Sequence, residues 1–169
     1  GAPTVFTSFM ATIVKAGVFI AFIRLFDEGF GSQQTKWKLI LAILTVATLV
    51  IGNITAVFQQ SVKRMLAYSS IAQAGFMLLA VYSMGPDSKE GLILYAAAYC
   101  LATIGIFAVL IKMSDYTFEG FNGFAKKEPL LAALTAIFLF SLAGIPLTAG
   151  FMAKFYMIKT AMYNAGYLW

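Results

Sequence analysis

Two lysines, Lys15 and Lys154, stand inside apolar runs where a charge is costly, and they are the residues of this chain best placed to do chemistry. Lys15 falls at the middle of the run from Val5 to Ile23. An ammonium at mid-bilayer costs about 2.5–3.5 kcal/mol on insertion scales, so such a group normally faces a bundle interior or a wet cavity and belongs to an ion or proton pathway. Removal from water disfavours the charged form of a lysine, which brings proton loss within reach and suits the side chain to carrying protons. The competing role is a lysine that snorkels to the interface or pairs to hold helices together. Every Asp and Glu falls in a predicted loop or at a helix end, which leaves only tyrosines and Cys100 beside the two lysines as titratable groups deep in the runs.

The third apolar run carries Tyr68, Ser69, Ser70 and Gln73, with positions 69 and 73 one helical turn apart, and Tyr99 and Thr103 repeat that spacing in the fourth. Ser69, Gln73, Tyr99 and Thr103 are therefore candidates to line a hydrated path between the two lysines. Polar side chains in membrane helices also serve as interhelical glue, and that role remains open for all four. Lys63 and Arg64 form a basic pair at the start of the third run, the ordinary mark of a membrane interface.

These residues must be positioned by helices in a bilayer. Of 169 residues, 61% are hydrophobic and 11% charged, with mean hydropathy +0.86, far from the composition of soluble domains. A crossing helix needs about 20 apolar residues, and uninterrupted candidates run near 5–26, 37–58, 62–83 and 91–112. Met84 to Glu90, with Gly85, Pro86 and three charges, reads as a turn. The segment 129–163 is too long for one perpendicular span and is interrupted at Gly144-Ile145-Pro146-Leu147-Thr148-Ala149-Gly150. Proline removes a backbone donor, and breaks at membrane depth are tolerated where freed backbone groups face protein or water; discontinuous helices recur at transporter sites, although a simple kink would leave the same pattern. The expected fold is an all-α integral membrane protein with five transmembrane helices, the last discontinuous, all of residues 1–169 belonging to one polytopic domain.

Several function classes are excluded. With no His and one Cys, the usual ligands for zinc, haem or iron–sulfur clusters are missing, and a disulfide framework is ruled out. There is no Gly-rich phosphate loop, no Ser/His/Asp set and no paired carboxylates, so no soluble catalytic residues, metal site or cofactor site are expected. The net charge of +5 reflects topology, since no basic run with interleaved aromatics suggests nucleic acid. The slight Lys/Arg bias places the start of the chain and the loops near 60 and at 113–128 in the cytoplasm.

Particular strings go further than composition. Gly52-Asn53 with Gln59-Gln60-Ser61-Val62-Lys63-Arg64-Met65-Leu66-Ala67-Tyr68-Ser69-Ser70-Ile71-Ala72-Gln73-Ala74-Gly75-Phe76 closely resembles the signature of the antiporter-like membrane subunits of respiratory complex I. Leu142 to Phe155 looks like the broken twelfth helix of that family, in the form typical of subunit N, the bacterial counterpart of mitochondrial subunit 2. Gly1-Ala2-Pro3-Thr4 resembles the entry to its eighth helix. The resemblance covers essentially the whole chain. It implies helices eight to twelve of a fourteen-helix subunit, with the seventh-helix lysine and fifth-helix glutamate outside the chain. Lys15 would be the connecting lysine of a half-channel, Lys154 the terminal lysine near the exit side, and Lys63 would keep its interface role. Gln73 departs from the family, where histidine is frequent; an amide bonds water but does not titrate.

The resemblance also implies a proton-translocating subunit of an NADH:quinone oxidoreductase, holding no redox site itself, while NADH, FMN, iron–sulfur clusters and quinone belong to the whole complex. Its partners would be the other membrane subunits and the lipid bilayer, with no nucleic acid, in a bacterial inner (plasma) membrane ahead of the mitochondrial inner membrane. The abrupt start at Gly1, with no basic n-region or cleavage site, and the end at Trp169 suggest a fragment of a longer protein. Two other roles fit the same residues: a subunit of a multisubunit cation/proton antiporter or membrane hydrogenase, and a structural membrane subunit whose lysines pair with lipid or protein carboxylates.

Overall fold

The computed structural model describes residues 3–30 and 34–164. The expectations attached to Gly1-Ala2 and to the closing residues 165–169 lie outside the described residues. No strand is present among the described residues; an antiparallel bridge between Ser61 and Thr117 stands by itself. Four helices among the described residues are long and apolar enough to cross a membrane, and a shorter apolar helix follows them.

The first of these runs from Thr4 to Gly29 as α1 (Thr4–Phe9), a wider π turn at Met10–Val14, α2 (Lys15–Arg24) and a second π turn at Leu25–Gly29. The first π turn has a local cause. Thr12-Ile13-Val14 is a β-branched run, and the Thr12 hydroxyl donates to the Ser8 carbonyl at 2.7 Å, a back-bond that competes with the helical ladder. Lys15 is the first residue after it. α3 (Gln34–Val57) and α4 (Val62–Ser83) form an antiparallel hairpin.

α5 (Pro86–Lys112) begins earlier than the sequence suggests, inside the stretch that reads as a turn. The turn is confined to Met84, which takes up a left-handed conformation (φ 33°), and Gly85. The Ser88 hydroxyl accepts the Gly85 N–H at 3.0 Å, and Asp87 in the first turn complements the helix dipole, so the charged residues start the helix rather than extend the loop.

The connection after α5 is tied down at Tyr116. Its carbonyl accepts the Val62 N–H at 2.8 Å, its hydroxyl lies 3.3 Å from that of Thr4, and its ring lies 5.4 Å beneath Lys63 Nζ. Arg64 is exposed. A short α6 (Phe124–Lys127) leads to α7 (Pro129–Ala143), which stops at Gly144 in the left-handed region (φ 82°) where a side chain would be strained. α8 (Ala149–Asn164) then starts against the end it has just left. The Gly150 N–H donates to Ser141 Oγ at 3.0 Å, and a Cβ at Gly150 would collide with the Ser141 carbonyl, so only glycine permits this approach.

The core sits between α4, α5 and α8. Met77, Val81, Leu92, Tyr95, Ala153 and Met157 are almost wholly enclosed there, with Phe19 and Ile23 of α2 against them. This packing fixes the helices that carry the polar stripes.

Candidate functional site

Lys15 points inward from α2. Its Nζ donates to the Ser70 carbonyl of α4 at 2.5 Å and lies 5.6 Å from the centre of the Tyr99 ring on α5. Beside it, Phe6, Thr7, Met10, Ala11, Ala67 and Ser70 line a cleft of about 320 Å³.

Lys154 points inward from the opposite flank of the same helix pair. Its Nζ donates to the carbonyls of Leu142 at 2.7 Å and Ala143 at 3.1 Å, and lies 5.1 Å from the centre of the Phe76 ring. Those carbonyls are orphans of the α7 C-terminus, where the last carbonyls have no helical donor and carry the negative end of the helix dipole. A cation there is well placed on both counts. Among the described residues, neither lysine has a carboxylate within ion-pair distance; the ion pairs there join Lys89 to Asp27 and Arg24 to Glu28 at the surface.

Between the lysines lies a polar seam. Gln73, 5% exposed, donates from Nε2 to the Leu142 carbonyl at 3.1 Å, so that one oxygen receives both this amide and Lys154. The Tyr95 hydroxyl donates to Gln73 Oε1. Tyr99 and Thr103, one turn apart on α5 and close to Ser70, are 5% and 3% exposed, and their hydroxyls have no partner at good hydrogen-bond geometry. A buried polar group without a partner is uncommon in native structures. A cavity of about 10 Å³, lined by Gln73, Tyr95, Tyr99, Ser141 and Lys154, is close to the room that one water needs. Tyr99 thus touches both ends: its ring is under Lys15, and its side chain borders the cavity that Lys154 enters.

Ser69 takes a different position from the other candidates. It lines a cleft of about 490 Å³ with Asn53, Gln73, Phe76 and Lys154, on the Lys154 side alone. Tyr68 is exposed. Sequence reasoning missed Tyr95, although it stands four residues before Tyr99 and so extends the Tyr99/Thr103 stripe by a turn. It also missed the Leu142, Ala143 and Ser70 carbonyls, because main-chain acceptors leave no mark in a sequence. Lys63 and Arg64 lie at the start of α4, away from the seam. Among the described residues no group of three or more His, Cys, Asp or Glu could hold a metal ion.

The family described as NADH:quinone oxidoreductase/Mrp antiporter, TM, matches residues 1–169. The chain is 44% identical over 168 residues to NADH-quinone oxidoreductase subunit N of Desulforamulus reducens, covering 97% of this chain and 35% of that protein. It is 43% identical over 175 residues to subunit N of Chloroflexus aggregans and 42% over 174 residues to that of Trichlorobacter lovleyi, covering all of this chain and 36% of each. The chain therefore spans about a third of the length of the curated relatives it matches. A match along its whole length, with relatives above 40% identity, establishes that this chain belongs to the NADH:quinone oxidoreductase/Mrp antiporter transmembrane family.

Proposed function

We propose that this chain is part of a proton-translocating, antiporter-like subunit of a bacterial NADH:quinone oxidoreductase, and that Lys15 and Lys154 are its proton carriers. A proton arriving through the cleft beside Lys15 passes along the α4/α5 seam past Tyr99, Thr103 and Gln73 to Lys154, which releases it into the cleft bordered by Ser69 and Asn53. Electron transfer takes place in other subunits. NADH, FMN, iron–sulfur clusters and quinone are bound there, and the energy arrives as a conformational or electrostatic bias from membrane partners. The setting is the bacterial inner membrane. α7 alone spans only about 22 Å at 1.5 Å per residue, short of the hydrocarbon core of about 30 Å, so α7 and α8 together form a fifth, discontinuous crossing.

One observation carries this reading: both half-buried lysines are held by main-chain carbonyls and, among the described residues, by no carboxylate. A carboxylate partner would hold the lysine in its charged form, whereas a carrier must be able to lose its charge. The names of the relatives favour the oxidoreductase over a cation/proton antiporter.

Lys15→Met and Lys154→Met in the intact complex test it. The expected result is normal assembly with proton translocation reduced on the order of 10²-fold or more, the scale of losing a positioned proton-transfer group. Assembled variants that pump at the wild-type rate would refute the carrier role, and loss of assembly in both would favour the structural one.

A further inference from the structure

Tyr95 has no place in the relay itself, yet it is 2% exposed and its hydroxyl is committed to one atom, Gln73 Oε1. The other end of that amide donates to the Leu142 carbonyl, which also receives Lys154. Gln73 Nε2 and Lys154 Nζ therefore meet on one oxygen and stand a few ångströms apart. A carbonyl accepts only, so the amide must turn its NH₂ toward Leu142 and its oxygen toward Tyr95.

We infer that Tyr95 is a positioning residue for Lys154, acting through Gln73: by occupying the amide oxygen, it keeps a neighbouring side-chain acceptor away from the ammonium and leaves Lys154 to main-chain carbonyls. This rests on the proposed carrier role of Lys154. Without the Tyr95 hydroxyl, Gln73 Oε1 is a buried acceptor with no donor, a state that proteins avoid. The ammonium of Lys154, which shares the Leu142 oxygen with this amide, is a mobile charged donor beside it. A swing of the amide would give it a charge-assisted hydrogen bond, which strengthens the hold on its proton and slows release.

The test uses the intact complex, with proton translocation normalised to assembled complex. Tyr95→Phe, which keeps the ring, should lower translocation on the order of tenfold, the scale of one added hydrogen bond to a charged group. Gln73→Met removes the competing acceptor and, with it, one side chain of the proposed path, so it sets its own baseline: the Tyr95→Phe/Gln73→Met double variant should pump at the rate of Gln73→Met alone, the Tyr95 substitution costing nothing further there. Loss of packing at Tyr95 would still add its cost in the double variant. Should Tyr95→Phe lower assembly, Gln73→Glu asks the same question with Tyr95 intact, since its second oxygen replaces the NH₂ beside Lys154; translocation should fall at least as far. The inference is overturned if the double variant loses as much as the two single losses multiplied, or if an assembled Tyr95→Phe or Gln73→Glu variant pumps at the wild-type rate. Lys154→Met run in parallel separates the two ideas. If it pumps normally the carrier role fails, whereas if it is impaired and Tyr95→Phe is not, the Tyr95 inference fails alone.

Discussion

Gly150→Ala should loosen the break between α7 and α8 while leaving both lysine side chains in the sequence. The added Cβ would overlap the Ser141 carbonyl oxygen and lie 2.6 Å from its carbon. Carbon atoms rest at about 3.5–4.0 Å, so the start of α8 must withdraw by about 1 Å. That withdrawal breaks the Gly150 N–H bond to Ser141 Oγ, now 3.0 Å, and stretches the reach of Lys154 to the Leu142 carbonyl, now 2.7 Å. Overpacking costs about 1–3 kcal/mol and the lost hydrogen bond about 1 kcal/mol. Together these shift the equilibrium between docked and undocked α8 on the order of 10²-fold, at about 1.4 kcal/mol per decade. The assay is the half-life of the assembled, detergent-solubilised complex on heating, a kinetic measure suited to a protein that unfolds irreversibly. Ser141→Ala is the control: it removes the hydroxyl and leaves room unchanged, so it should cost only about 1 kcal/mol. A Gly150→Ala complex as heat-resistant as wild type, with unimpaired proton translocation, would refute the contact between the end of α7 and the start of α8.

At the start of α5, Lys89→Ala should be nearly silent. Its pair with Asp27 at 2.5 Å joins side chains that are 57% and 44% exposed, and such surface pairs are worth about 0–1 kcal/mol; a several-fold loss of heat half-life would contradict that. Asp115 makes a further prediction, in the 113–128 loop. Its carboxylate accepts the Thr117 N–H at 2.9 Å and the Thr117 hydroxyl at 2.8 Å, which holds its pKa below the ordinary aspartate value. A depressed folded value means that the bonds contribute above the ordinary aspartate range and are lost as pH falls through the depressed one. Hydrogen exchange of the Thr117 amide should therefore be protected at neutral pH, lose protection in strong acid, and be unprotected at both in Asp115→Ala. Equal protection in the variant at neutral pH would dismiss the carboxylate as the partner.

Hydropathy made the four long helices legible, because a bilayer admits few ways to satisfy a backbone and apolar length alone identifies the spans. Their ends were less so. Asp87, Ser88, Lys89 and Glu90 read as a charged turn, but three of the four are also what a helix start accommodates, and the Gly85 N–H bond to Ser88 decided between them. The π turn at Met10–Val14 was invisible, since it depends on how Thr12 spends its hydroxyl and not on residue type. At the site, Lys15 meets the Ser70 carbonyl and Lys154 the carbonyls that end α7, Gln73 and Tyr99 border the cavity beside Lys154, and Thr103 stands one turn further along α5. Spacing grouped Ser69 with Gln73 because both lie on one helical face, yet it could not say which neighbour that face would meet. Ser69 borders the Lys154 cleft, and it is the carbonyl of the next residue, Ser70, that meets Lys15.

On the proposed carrier role, the break in the last segment has a chemical reason as well as a structural one. A carboxylate about 4 Å from Lys154 would attract the ammonium by about 4 kcal/mol at the effective dielectric of such sites, fixing the lysine in its charged form. The C-terminus of a helix attracts a cation by about 0.3–1 kcal/mol, up to about 2 when partly buried. It also cannot take the proton itself, since a carbonyl has no accessible titration. Ending α7 at Gly144 exposes the Leu142 and Ala143 carbonyls at the depth of Lys154, and restarting the chain at Ala149 brings the lysine back onto them five residues later. The same segment that frees these acceptors therefore delivers the donor, and holds it firmly enough to place the ammonium but weakly enough to let its proton go.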